Sequence, residues 1–172
     1  TGSKIGLLMR CPGSHGLPWV RTSGAAAQLG IAIHHACRMV SDLGVEDGLT
    51  AARLAYPDYT EACGQIPFGE LSDVLKYEAE ASMALSFGRD EARRLTLAGP
   101  RDYSQVANDE IAMTIDILGV EDDYVYVGDY KTGYTPLGAA KDNAQLLTAA
   151  VAAAHIYGKS RAIVELIYIH GD

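Results

Sequence analysis

Long apolar runs, a leader pattern and paired cysteines are all missing from this chain, and each absence narrows what to expect. No apolar stretch approaches the length that crosses a bilayer, so no membrane partner is expected. The amino end does not pass through charged, apolar and cleavage regions in signal-peptide order, so the expected compartment is the cytoplasm. Cys11, Cys37 and Cys63 are odd in number and far apart, which suits reduced thiols and not a disulfide framework. Positive charge is short too. The 14 Lys and Arg are outnumbered by 22 Asp and Glu, and the net charge of −8 argues against a basic protein that coats nucleic acid. No internal repeat or low-complexity tract is visible. What remains is ordinary globular composition in 172 residues, enough for one domain, 1–172, with a real core.

Residues 1–75 read mainly as loop and helix, and 76–172 as a sheet core. Cys11-Pro12-Gly13-Ser14 is a turn signal, and Trp19 reads as a core anchor. A helix is expected over 24–43, capped by Thr22 or Ser23 and ended by Gly44. A second runs over 48–55, before Pro57. The stretch 56–69 is turn-rich and assigns to no element. Tyr77, Ala79, Ala81, Met83, Leu85 and Phe87 then alternate with Glu78, Glu80, Ser82 and Ser86, the period of a strand with one polar face. Its Ala and Glu are weak strand formers, so a helix is the competing reading. Gly88-Arg89-Asp90 turns the chain into a return segment at 92–97. Ile111, Met113, Ile115 and Ile117 alternate again, Asp122-Asp123 turns, and 124–131 returns as a strand. A loop over 132–142, a helix from Ala139 or Lys141 to Tyr157 stopped by Gly158, and an apolar strand over 161–169 follow. That last run reads as interior to the sheet, and strand–helix–strand at this spacing implies a parallel pair.

The chemistry concentrates at Asp116 and at Asp129-Tyr130-Lys131. Asp129 and Lys131 share a strand face. If the hairpin pairs Asp116 beside Asp129, two carboxylates and an ammonium converge. Like charges so close need a cation or a shared proton. Oxygen donors of this kind suit Mg²⁺ or Mn²⁺ better than zinc, and a hard cation beside a lysine is suited to cutting a phosphodiester.

The ordered set of motifs resembles the PD-(D/E)XK nuclease superfamily, more narrowly its RecB-like branch and phage-type exonuclease relatives. Gly30-Ile31-Ala32-Ile33-His34 is similar to that branch's Gly-x-x-x-His helix. Asp116 ends the second core strand, and Gly128-Asp129-Tyr130-Lys131-Thr132-Gly133 looks like the Asp-Tyr-Lys-Thr-Gly signature. Gln145 opens the following helix, and Cys11-Pro12-Gly13-Ser14 is similar to an amino-terminal segment of phage members. The match runs from about Cys11 to Ile169. Two positions depart from the pattern: Ala149 stands where a tyrosine is frequent, and Met113 where a glycine is. The carboxyl-terminal cysteines of iron–sulfur members are missing, so no cluster is expected.

The resemblance implies a mixed sheet flanked by helices and a Mg²⁺- or Mn²⁺-dependent deoxyribonuclease. The setting would be recombination or repair in a bacterial or phage-infected cell, with DNA and a recombination or annealing protein as partners. Its metal ligands would be Asp116, Asp129, His34 and the Tyr130 carbonyl. Lys131 would stabilise the phosphate or steer water, and Gln145 would contact the phosphate or orient Lys131. Each has a plainer reading: strand-end acids in water, a surface lysine, a surface amide, a hydrogen-bonded core histidine. Glu80 or Glu78 would supply a further acid, although a solvated strand face explains both, and Glu110 lies far along the strand. Tyr124, Tyr126 and Tyr130 read as packing, with stacking on unpaired bases as the alternative. The rival function is a catalytically silent DNA-binding or structural subunit with the same fold.

Overall fold

The computed structural model describes residues 24–96, 103–132 and 139–169. The first helix, α1 (Ala25–Leu43), opens on three alanines, the best helix formers. It buries Ala32, Ile33, Ala36, Cys37 and Val40, a single stripe at helical spacing. Gly24 holds its amino-terminal cap position, without a side-chain bond. The expected caps Thr22 and Ser23 lie outside the described residues, as do Trp19 and Cys11-Pro12-Gly13-Ser14. Gly44 ends α1 and also begins α2 (Val45–Ala55), so the second helix starts earlier than its sequence pattern suggests. Glu46 and Asp47 in its first turn favour the positive end of the helix dipole.

The unassigned stretch folds as a 3-10 turn at Pro57–Tyr59 and a short helix α3 (Thr60–Gly64), followed by α4 (Ser72–Leu75). Helices this short are unstable alone. Tertiary burial holds them: Cys63, Ile66, Phe68 and Leu71 join one core cluster with α1.

The sheet contains β1 (Glu78–Ser86), β2 (Glu91–Arg94), β3 (Ile111–Val120), β4 (Val125–Thr132) and β5 (Ala162–Ile169). Among the described residues its five strands stand in the order β2-β1-β3-β4-β5. All neighbours are antiparallel except β4 and β5, which are parallel. Their crossover carries α5 (Ala144–Tyr157), capped by the Asn143 side chain accepting from Leu146 N at 3.1 Å. The architecture is therefore mixed α/β, with helices on both faces of the sheet. On one face Val125 and Val127 meet Leu146, Ala149, Ala150, Ala152 and Ala153 of α5. On the other, Tyr126, Tyr130, Ile167 and Ile169 meet α1.

Two expectations need correction. β5 is an edge strand and not interior. Its apolar residues are explained by a helix on each face, with Val164 and Leu166 toward α5 and Ile167 and Ile169 toward α1. β1 does not keep a polar face along its length, because Ser82 and Ser86 are buried. Their hydroxyls are satisfied by Thr114 and Asp109, and Thr114 in turn bonds the Tyr103 hydroxyl.

Candidate functional site

The hairpin fixes the site by its register. β3 and β4 pair from Val120↔Val125 to Ile117↔Gly128, which places Asp116 across from Asp129 where the ladder stops. The strands part there. In place of a backbone rung, the Tyr130 amide donates to Asp116 Oδ2 at 2.8 Å. Side-chain alternation also slips at this level: Met113 and Ile115 pack toward α5, Ile117 toward α1 and Leu118 toward α5 again. The neighbouring strand is disturbed at the same level. The β1–β3 register passes from Ala81↔Ile115 to Ala79↔Ile117, and the intervening Glu80 has φ 52°.

Helix α1 reaches this gap because Gly30 allows it. A β-carbon at Gly30 would lie 2.9 Å from Thr132 Oγ1, at the end of β4. One turn on, His34 Nδ1 is 3.1 Å from Asp116 Oδ1, and its ring stands edge-on to Tyr130 at 5.9 Å. From the other face, Gln145 at the start of α5 lines a small cleft with Asp129, Thr114, Ile115 and Leu146. Its free volume of ≈ 10 Å³ suits about one water molecule. Lys131 pairs with Asp129. The structure thus gathers His34, Asp116, Asp129, Lys131, Tyr130 and Gln145 at one end of the sheet.

The charges settle unevenly. Burial raises the Asp129 carboxyl first and the Asp116 charge second, against the pull of Lys131, to about 6. Asp116 is buried as well, which alone would raise it. The hydrogen bond and charge of His34, a bond to Asp129 and the Tyr130 amide together hold it below the ordinary carboxylate value. Burial disfavours the charged imidazole of His34, but Asp116 outweighs it and the pKa is raised. Of the two acids, Asp116 gives up its proton the more readily and Asp129 keeps one to higher pH, as expected when carboxyls crowd together.

Glu80 lies at the edge of this group and pairs with Arg38 at 2.7 Å. Glu78 is bound to Arg94, which also donates to the Tyr157 hydroxyl at 2.7 Å. Glu110 is committed to Arg89 and Arg93, and Arg93 with the Ala107 amide holds it down to about 2. Glu78 and Glu110 therefore serve the β1–β2–β3 surface and not the gap. Cys37 and Cys63 are buried free thiols, and burial pushes Cys37 up to about 12. Tyr126 and Tyr130 pack in the α1-side core, as their positions suggest, and Tyr124 packs against it. Ala149 is wholly buried. Three neighbours of the site escape sequence reasoning: Arg38, Thr114 and Leu146. Arg38 alone left a signal, its four-residue spacing from His34.

Among the described residues no three His, Cys, Asp or Glu side chains are grouped as metal ligands. The acids bond to His34, the Tyr130 amide and Lys131 instead. The donor types nevertheless fit a hard divalent cation: two adjacent carboxylates and an imidazole. No family model matches the chain, and neither a curated protein nor a solved structure matches it. Among the described residues no helix is long and apolar enough to cross a membrane.

Proposed function

We propose that this chain hydrolyses DNA phosphodiester bonds as a Mg²⁺- or Mn²⁺-dependent nuclease of the PD-(D/E)XK type, an exonuclease of the RecB-like kind. The observation that carries the reading is the meeting of Asp116, Asp129 and Lys131 at the parting of β3 and β4, with His34 delivered from α1 and Gln145 from α5. Asp116, Asp129, His34 and the Tyr130 carbonyl would hold the cation, which when bound neutralises phosphate charge and makes water a better nucleophile. Gln145 and Asp129 border a space that fits about one water, and there they would orient it toward the phosphorus. Lys131 offsets the charge that builds on the phosphate oxygens. The buried acids and tight helix contact keep these groups positioned before substrate arrives.

A second reading draws on a specific observation. The acids are satisfied by His34, Tyr130 and Lys131 in a chain of net charge −8, which suits a catalytically silent subunit with the nuclease fold. Labelled linear and circular DNA incubated with Mg²⁺, Mn²⁺ or EDTA decides between them. Cleavage that needs the cation and disappears in Asp116→Asn is expected. DNA left intact at high enzyme concentration with Mn²⁺ decides for the silent subunit.

A further inference from the structure

Arg38 stands one turn beyond His34 on α1, about 6 Å further along the helix axis. Its Nη1 donates to Glu80 Oε2 at 2.7 Å, and the two side chains keep 34% and 43% of their surface exposed. The pair is open to solvent at the rim of the acid cluster, since Glu80 sits between the rungs that bracket Asp116.

Two features make this an imperfect contact. Glu80 carries its φ of 52° inside a strand, a conformation that L residues hold only where their surroundings impose it. Arg38 Nε is shut from water without a partner. A guanidinium has five donors in a fork shaped for carboxylate or phosphate, and an orphaned one favours any pose that engages it. A phosphate offers more charge and more acceptor oxygens than Glu80 does. The displacement from His34 to Arg38 is comparable to the step between consecutive phosphates of a strand. An acidic protein that takes a polyanion also needs cations close to its acids, and Arg38 and Lys131 flank them.

We propose, resting on the nuclease reading above, that Arg38 binds the backbone phosphate next to the one attacked. Glu80 holds the guanidinium until the DNA strand takes its place. Arg38 is then a substrate-binding residue, and Glu80 is a placeholder anion that sets how readily DNA is admitted.

The test is equilibrium binding of a fluorescent oligonucleotide in EDTA, by anisotropy across a salt series, for the parent, Arg38→Gln, Arg38→Lys and Glu80→Gln. Thermal melts establish that each variant folds. Arg38→Gln should weaken binding about tenfold and reduce the slope of log affinity against log salt by roughly 0.7–0.9, the loss of one phosphate contact. Arg38→Lys should keep the slope and lose part of the affinity. Glu80→Gln removes the competitor and should tighten binding about threefold. A parent that binds and cuts DNA, with Arg38→Gln unchanged in affinity and slope, overturns this proposal alone. Weaker binding in Glu80→Gln does the same, because the pair would then be structural. A parent that neither binds nor cuts DNA overturns the nuclease reading and this proposal with it.

Discussion

At one end of the β3–β4 hairpin, Val120 pairs with Val125 and the strands hold register over four rungs; at the other, they part and bring Asp116 and Asp129 together. The closed end is built for rigidity. Tyr77 stacks on Tyr126 at 5.2 Å, and the Tyr77 hydroxyl donates to Glu121 at 2.6 Å. Tyr126 is tied to Glu165 on β5. Among the described residues no buried side-chain nitrogen or oxygen at this end lacks a hydrogen-bond partner. The open end gives up its next rungs and buries two carboxyls whose proton affinities are pushed apart. Strand pairing continues where a turn fixes the register, and stops where the two carboxylates meet.

The sharpest way to break this contrast is Asp116→Asn. Cleavage should fall at least about 10³-fold, as when one member of a catalytic unit is removed, and stabilisation by Mn²⁺ should vanish. A variant that melts higher in Mn²⁺ by as much as the parent does would move the metal elsewhere. Lys131→Ala should slow cleavage by about 100-fold while Mn²⁺ affinity holds or rises, since a nearby cation has gone. Single-turnover kinetics beside calorimetry separates the two effects, and parent-like turnover removes Lys131 from the reaction.

The closed end should answer in stability alone. A β-carbon at Gly119 would meet three ring atoms of Tyr77 at 2.7–2.8 Å. Gly119→Ala must therefore displace a stacked, hydrogen-bonded ring, at a cost of about 1–3 kcal/mol, with Mn²⁺ binding unchanged. Denaturant melts with and without Mn²⁺ check both halves, and a loss of metal response would show that the two ends are not independent.

The pH dependence sharpens the contrast from the other side. Asp129 and His34 both bind protons more tightly in the folded chain. Their contribution is full below their ordinary values and is lost as pH rises through about 6 and above. Asp116 works the other way, but only as pH falls below its ordinary carboxylate range. In EDTA, the Asp129 carboxyl alone should lower stability by about 1 kcal/mol between pH 5 and 8, and Asp129→Asn should remove that part of the decline. In Mn²⁺ the trend should reverse, because ligands bind metal deprotonated. Melting curves that rise with pH in EDTA would contradict this account of the acids. The smallest effect is expected at Gly30, whose added β-carbon meets only the movable Thr132 hydroxyl. Gly30→Ala should leave stability within about 1 kcal/mol yet weaken Mn²⁺ binding by tilting His34 away, which calorimetry reads directly.

Much of this is legible in the amino-acid sequence. Gly44 marks the end of α1, alternation marks β1, β3 and β4, and the Asp122-Asp123 turn fixes a register that sets Asp116 across from Asp129. What escaped is non-local. The slip at Asp116 and the positive φ of Glu80 arise from two strands adjusting to each other, and periodicity along either one carries no trace of that. The short helices α3 and α4 owe their form to burial against α1. The edge position of β5 was hidden because coverage by helices on both faces makes an edge strand as apolar as a central one.

That edge has a consequence for handling the protein. Ala162–Ile169 presents a backbone row without a strand neighbour among the described residues, and Glu165 is its only charge. Short β-prone runs of this kind template intermolecular cross-β stacking once their cover loosens. Glu165 is the gatekeeper against it, and the Tyr126 hydroxyl already holds that carboxylate. Any variant that loosens α5 should therefore first show itself as turbidity or inclusion bodies, before a change in melting temperature is read. Soluble yield then becomes a report on how well one crossover helix shields one strand.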